Sequence, residues 1–210
     1  MDIARFKAEF LQQHYDVCGV PMKAFLIARL TEIQRLGTIL PWFYNAVVRN
    51  RMTGGMLKRM LHFAPERAIP TLYKTTLKHW LGRYQRKNRG EIVGRVFLFA
   101  DEFTNYMDVE IGIKMIELLD CLGYEVIIPK HVESGRTAIS KGMLKVAKGV
   151  ARENVLLLKD LVTENIPLIG IEPSCILSFR DEYPDLVGDD LKEEAVRLGK
   201  NCLLYDEFFT

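Results

Sequence analysis

The chain has 210 residues, 49% apolar, 27% charged and 10% aromatic, which is enough for one or two compact domains and argues against wholesale disorder. Its net charge of +2 hides a split: residues 1–90 hold 16 Lys/Arg against 5 Asp/Glu, or +11, and residues 91–210 hold 13 against 22, or −9. No apolar run approaches the roughly 18 residues that span a bilayer, the amphipathic start lacks a signal-peptide block, and Cys18, Cys121, Cys175 and Cys202 form no C-x-x-C pair, so free thiols in the cytoplasm are expected.

Residues 1–88 read as helices with punctuation. Phe6, Phe10, Leu11 and His14 keep 3.6-residue spacing in a first helix that Gly19–Pro21 ends. A second helix is expected over 22–36, a third over 42–49, and a short fourth after Thr53–Gly55. Pro65 and Pro70 bracket an extended connector, and a last helical stretch covers 72–80. The basic segment 82–91 reads as a linker.

Beyond it the period changes. Residues 93–100 are β-branched and aromatic, the pattern of a buried strand. An amphipathic helix follows at 108–122, then strand 124–129, helices at 137–149 and 151–163, strand 167–171, helices at 176–182 and 189–199, and a strand-like 201–208. This alternation over 92–210 predicts an α/β domain, a doubly wound, Rossmann-like parallel sheet, behind the N-terminal helical segment. Ligands of such sheets sit beyond the carboxyl ends of the strands, where three loops should meet. The first carries Asp101, Glu102, Thr104 and Asn105, the second His131, Glu133, Ser134, Gly135 and Arg136, and the third Glu172, Ser174 and Cys175. Helix caps and turns account for many such residues in any protein of this class.

Taken together, the loops resemble the cysteine-rich CCG domain of FAD-linked oxidases and their iron–sulfur partners, a group that includes glycolate and lactate oxidases and anaerobic glycerol-3-phosphate dehydrogenase. That family has one Cys, then Cys-Cys-Gly, then C-x-x-C. Here Asp101 stands at the first position, Glu133-Ser134-Gly135 follows after 31 residues, and Glu172-Pro173-Ser174-Cys175 after a further 36. LGYEVIIP (122–129), SGRTAISKG (134–142) and FRDEYPDL (179–186) extend the likeness. AEFLQQHYDVCGVP (8–21), LPWFYN (40–45) and APERAIPTL (64–72) resemble the helical connector that joins a two-cluster ferredoxin module to the CCG domain.

The resemblance implies an internal portion, excised or split, of a larger oxidoreductase acting on a 2-hydroxy acid or glycerol 3-phosphate. FAD and iron–sulfur clusters belong to that parent enzyme, flavin-binding and ferredoxin-like modules are the partners, and peripheral membrane association through them is a further implication. Of five cysteine positions only Cys175 keeps its thiol, and one thiolate cannot hold a cluster. No cofactor is therefore expected in this chain, and Asp101, Glu133, Ser134, Gly135, Arg136, Glu172, Ser174 and Cys175 mark a degenerate cluster site with an electron-transfer-associated or structural role.

Two other readings stay open at this level. Asp101, Glu133 and Glu172 could crowd together around a divalent cation, or the altered loops around a small molecule with Arg136 forking onto its carboxylate or phosphate. The basic half could meet an acidic partner or nucleic acid, although no nucleic-acid motif is present. The opposite charges also predict that the basic helices dock on the acidic domain.

Overall fold

A computed structural model describes residues 3–210. Strands β1 (Gly94–Phe99), β2 (Tyr124–Ile127), β3 (Leu168–Gly170) and β4 (Cys202–Leu204) form one parallel sheet in the order β2-β1-β3-β4. The N-terminal region supplies α1 (Ile3–Cys18), α2 (Met22–Ala28), α3 (Leu30–Gly37), α4 (Pro41–Arg49), α5 (Arg51–Met60) and α6 (Leu77–Leu81). Around the sheet lie α7 (Val109–Cys121), α8 (Arg136–Ser140), α9 (Leu144–Leu158), α10 (Pro173–Asp181), α11 (Tyr183–Leu186), α12 (Lys192–Lys200) and α13 (Tyr205–Phe208).

Alternation along β1 divides the core, as the two-residue strand period demands. Val96 and Leu98 face α7 through Val109, Ile116 and Leu119. Phe99 faces the other side, where Val155 of α9, Ile176 and Phe179 of α10 and Leu198 of α12 close the second layer. Helices thus cover both faces, the doubly wound arrangement expected from the sequence. Among the described residues no helix is long and apolar enough to cross a membrane.

Several boundaries differ from expectation. The helix expected over 22–36 breaks at Arg29 (φ −105°, ψ 28°) into α2 and α3. Asn50 caps α5 from the residue before Arg51, so Thr53–Gly55 lie inside that helix. The 72–80 stretch is helical only from Leu77, where Thr76 Oγ1 caps it. The break within 137–163 falls at Gly142, in left-handed conformation (φ 71°), rather than between Gly149 and Ala151. α10 begins at Pro173, and the strand-like 201–208 is strand only to Leu204 before α13.

The first helix turns over. Phe6 and Phe10 are 64% and 62% exposed, and the contact face is Ala8, Leu11 and Tyr15 instead. Small Ala8 lets the helix approach closely. Arg5 bonds Asp185 and the Asp181 carbonyl, and Lys145 bonds Asp16 at 2.7 Å. The basic segment therefore does dock on the α/β unit, α1 at α9–α11 and α6 on the first loop through Asn105.

Segment 82–91, expected to be a linker, is a packed strap. Tyr84 Oη, Arg86 Nε and the Lys87 backbone N–H donate to the Asp120 carboxylate at 2.8, 3.1 and 2.7 Å. Asp120 is a buried residue of α7, and Lys87 adds an ion pair to Glu117 at 2.7 Å.

Candidate functional site

The three loops meet at the carboxyl ends of β1, β2 and β3. Directly after β1, buried Asp101 folds its own loop. Its Oδ1 accepts from the Phe103 and Thr104 N–H groups at 2.8 and 3.0 Å, and its Oδ2 from Thr104 Oγ1 at 2.7 Å. Burial pushes this carboxyl up, the three donors oppose that, and the nearby Glu172 carboxylate adds to it. Asn105 serves α6: its carbonyl and Oδ1 accept from the Leu77 and Lys78 N–H groups, the otherwise unpaired donors of that helix start.

Glu102 is the carboxylate that crosses between loops. It is 1% exposed, accepts from the Ser134 N–H at 3.0 Å and from Ser134 Oγ at 2.7 Å, and is shifted upward chiefly by burial. The Ser134 oxygen also accepts from the Arg136 N–H at 3.1 Å and lies 3.3 Å from Cys175 Sγ. A hydroxyl has one proton, and Glu102 takes it. Cys175 keeps its own, because burial and then the Glu102, Asp101 and Glu172 carboxylates push the thiol well above its ordinary range. A buried thiol held in this state is a poor nucleophile.

The remaining positions close the network. Glu172 caps α10, accepting from Ser174 Oγ at 2.7 Å. Gly135 takes the left-handed conformation (φ 71°) that turns the chain into α8. Arg136 pairs with Glu182 at 2.7 Å rather than facing the loops. Glu133 contributes its backbone carbonyl, which accepts from Asn154 Nδ2 at 2.7 Å. Among the described residues no three His, Cys, Asp or Glu side chains are grouped to hold a metal, so Asp101, Glu133 and Glu172 do not assemble into a cation cluster.

Asn154 and Tyr183 are residues that sequence reasoning missed. Both are buried, and together they clamp the second loop: Asn154 Oδ1 accepts from Val132 N–H, its Nδ2 donates to Tyr183 Oη, and that hydroxyl donates to the Ser134 carbonyl at 3.0 Å. A polar residue in the apolar stripe Ala147, Ala151, Val155 and Leu158 was the available signal for Asn154. His131 sits beneath, 4.5 Å from the Phe99 ring, its Nδ1 donating to the Val132 carbonyl at 2.7 Å. Burial, with the Lys78 charge, brings its pKa down to about 3, and its Nε2 has no partner among the described residues.

An iron–sulfur cluster of the four-thiolate kind does not fit these residues. One thiol is present, and the side-chain oxygens of Asp101, Ser134 and Glu172 are already bonded within the protein.

The chain is similar over most of its length to known dehydrogenase chains. It is 21% identical to D-2-hydroxyglutarate dehydrogenase of Escherichia coli (strain K12) across 97% of its own length and 21% of the relative's. With the D-2-hydroxyglutarate dehydrogenase of Haemophilus influenzae the identity is 24%, over 88% of this chain and 19% of that one. One subunit of the anaerobic glycerol-3-phosphate dehydrogenase of Escherichia coli (strain K12) is 23% identical over 85% of this chain and 45% of its own length. The chain thus spans about a fifth of the D-2-hydroxyglutarate dehydrogenases and under half of the glycerol-3-phosphate dehydrogenase subunit, and these homologues bear out the resemblance read from the loops. No family model and no solved structure matches it.

Proposed function

We propose that this chain is a segment of an FAD-linked, iron–sulfur oxidoreductase of the 2-hydroxy acid or glycerol-3-phosphate dehydrogenase type, working in the cytoplasm, in which the CCG cluster site has become a structural hydrogen-bonded core. The observation that carries the reading is the meeting of Asp101, Ser134, Glu172 and Cys175 at one end of the sheet, with the oxygens of Asp101, Ser134 and Glu172 bonded within the protein and Glu102 bridging to Ser134.

In such an enzyme the flavin takes the reducing equivalents and resident clusters pass electrons onward. This chain's own residues do a different task. Glu102 and Ser134 pin the second loop to the first, and Cys175 fills the space beside them as a protonated thiol. Asn154 and Tyr183 hold the loop backbone from behind. The result is a rigid sheet end against which partner modules can be positioned. Exposed apolar side chains on the N-terminal helices, among them Leu36, Ile39, Trp42, Phe43, Met52 and Met56, support a role inside a larger assembly.

Affinity purification of the tagged protein from its native cells tests this. The expected complex carries flavin absorbance and reduces an artificial acceptor with D-2-hydroxyglutarate or glycerol 3-phosphate, whereas the chain alone does neither. Recovery without any flavoprotein would contradict the assignment.

A further inference from the structure

Part of the basic charge of the N-terminal region lines one groove. A groove of about 590 Å³ runs along α6 and the strap, lined by Lys74, His79, Trp80, Arg83, Tyr84 and Lys87, with no carboxylate in its lining. Lys87 is already held by Glu117, but Lys74 and Arg83 have no acidic partner among the described residues. Lys74 lies instead 5.6 Å from the Tyr73 ring centre.

The same lining carries a fixed aromatic pair, with Lys87 Nζ 5.9 Å from the Tyr84 ring centre. The Trp80 and Tyr84 rings stack with centroids 4.7 Å apart and an interplanar angle of 26°. The pair is not free to reorient: the Tyr84 hydroxyl is bonded to buried Asp120 at 2.8 Å, and Trp80 packs on the core through its own side of α6. Guanidinium and ammonium groups recognise phosphate oxygens, and a rigid ring pair recognises a planar base. An acidic peptide would use the cations and leave the rings unexplained.

We propose that this groove binds a mononucleotide, with its phosphates on Arg83, Lys74 and His79 and its base against the Trp80–Tyr84 pair. The site is separate from the Glu102–Ser134–Cys175 core and does not depend on the oxidoreductase reading.

Calorimetric titration of the full chain at low ionic strength, with ADP, inorganic pyrophosphate and a deca-glutamate peptide as probes, tests it. ADP should bind saturably at one site, about tenfold or more tighter than pyrophosphate, since stacking adds to the phosphate contacts. Arg83→Glu should weaken ADP by at least about tenfold while leaving the thermal unfolding curve in place, and Lys74→Glu provides the same reading should the first variant fail to fold. Absence of saturable ADP binding up to on the order of 10 mM would overturn the proposal. So would unchanged ADP affinity in both variants, or deca-glutamate binding tighter than ADP.

Discussion

Asp120 and Glu102 are two buried carboxylates that the fold treats in opposite ways. Burial alone would raise Asp120, but donors from Lys87, Tyr84, Arg86 and Asn88 outweigh it and hold the carboxyl below its usual range. Its contribution to stability is therefore present above about pH 4, the unfolded value, and is lost as pH falls through the depressed folded value. Asp120→Ala strips the strap of its anchor and should cost about 3 kcal/mol at neutral pH by chemical denaturation, because two or more charge-assisted bonds go together. Glu102 is raised by burial, with its Ser134 bonds opposing. It favours the fold below about pH 4.3 and weighs against it as pH rises through the raised folded value. The wild type should accordingly lose stability relative to Glu102→Gln as pH rises from 4 to 9, followed by thermal melts. A flat difference would mean that Glu102 ionises at little cost, and one that rises with pH that its folded carboxyl is held down rather than up.

Among the elements, α1 shows best what sequence periodicity can and cannot carry. Gly142 stands in left-handed conformation where α1 crosses, and a Cβ there would lie 3.2 Å from the Ala8 carbonyl, with the Leu11 side chain closer still. Gly142→Ala combines backbone strain of about 1–2 kcal/mol with that clash. It should release α1, seen as protease cleavage within Ile3–Cys18 while the sheet stays resistant; equal protection of both variants would show that the crossing is slack. The strands, the helix faces around them and the convergence of the three loops were legible, because buried parallel strands and the helices covering them write their burial into local pattern. The orientation of α1 was not, since spacing identifies an apolar stripe and only the partner decides which stripe is buried. Small Ala8, with Arg5 and Asp16 beside it, outcompetes Phe6 and Phe10 for contact. The break at Arg29 carries no Gly or Pro, so no local signal marks it. The strap was hidden for a related reason: a basic, polar run reads as solvated, and only the isolated Asp120 in the buried face of α7 hinted that something reaches across to it.

For the whole molecule, the split of +11 and −9 describes two parts that lie against each other, with specific pairs at Arg5–Asp185, Asp16–Lys145, Arg86–Asp120 and Lys87–Glu117. None of these pairs involves the three loops. The carboxylates of Asp101, Glu102 and Glu172 are instead met from within, by Thr104, Ser134 and Ser174 and by backbone N–H groups. On the proposed reading, the loops at this end of the sheet form a hydrogen-bonded core that holds no iron–sulfur cluster. Anaerobic reconstitution of the purified chain with ferrous iron and sulfide, followed by iron analysis and visible spectroscopy, tests that claim most directly. The account predicts a colourless protein without bound iron; a brown protein with about four irons per chain would contradict it.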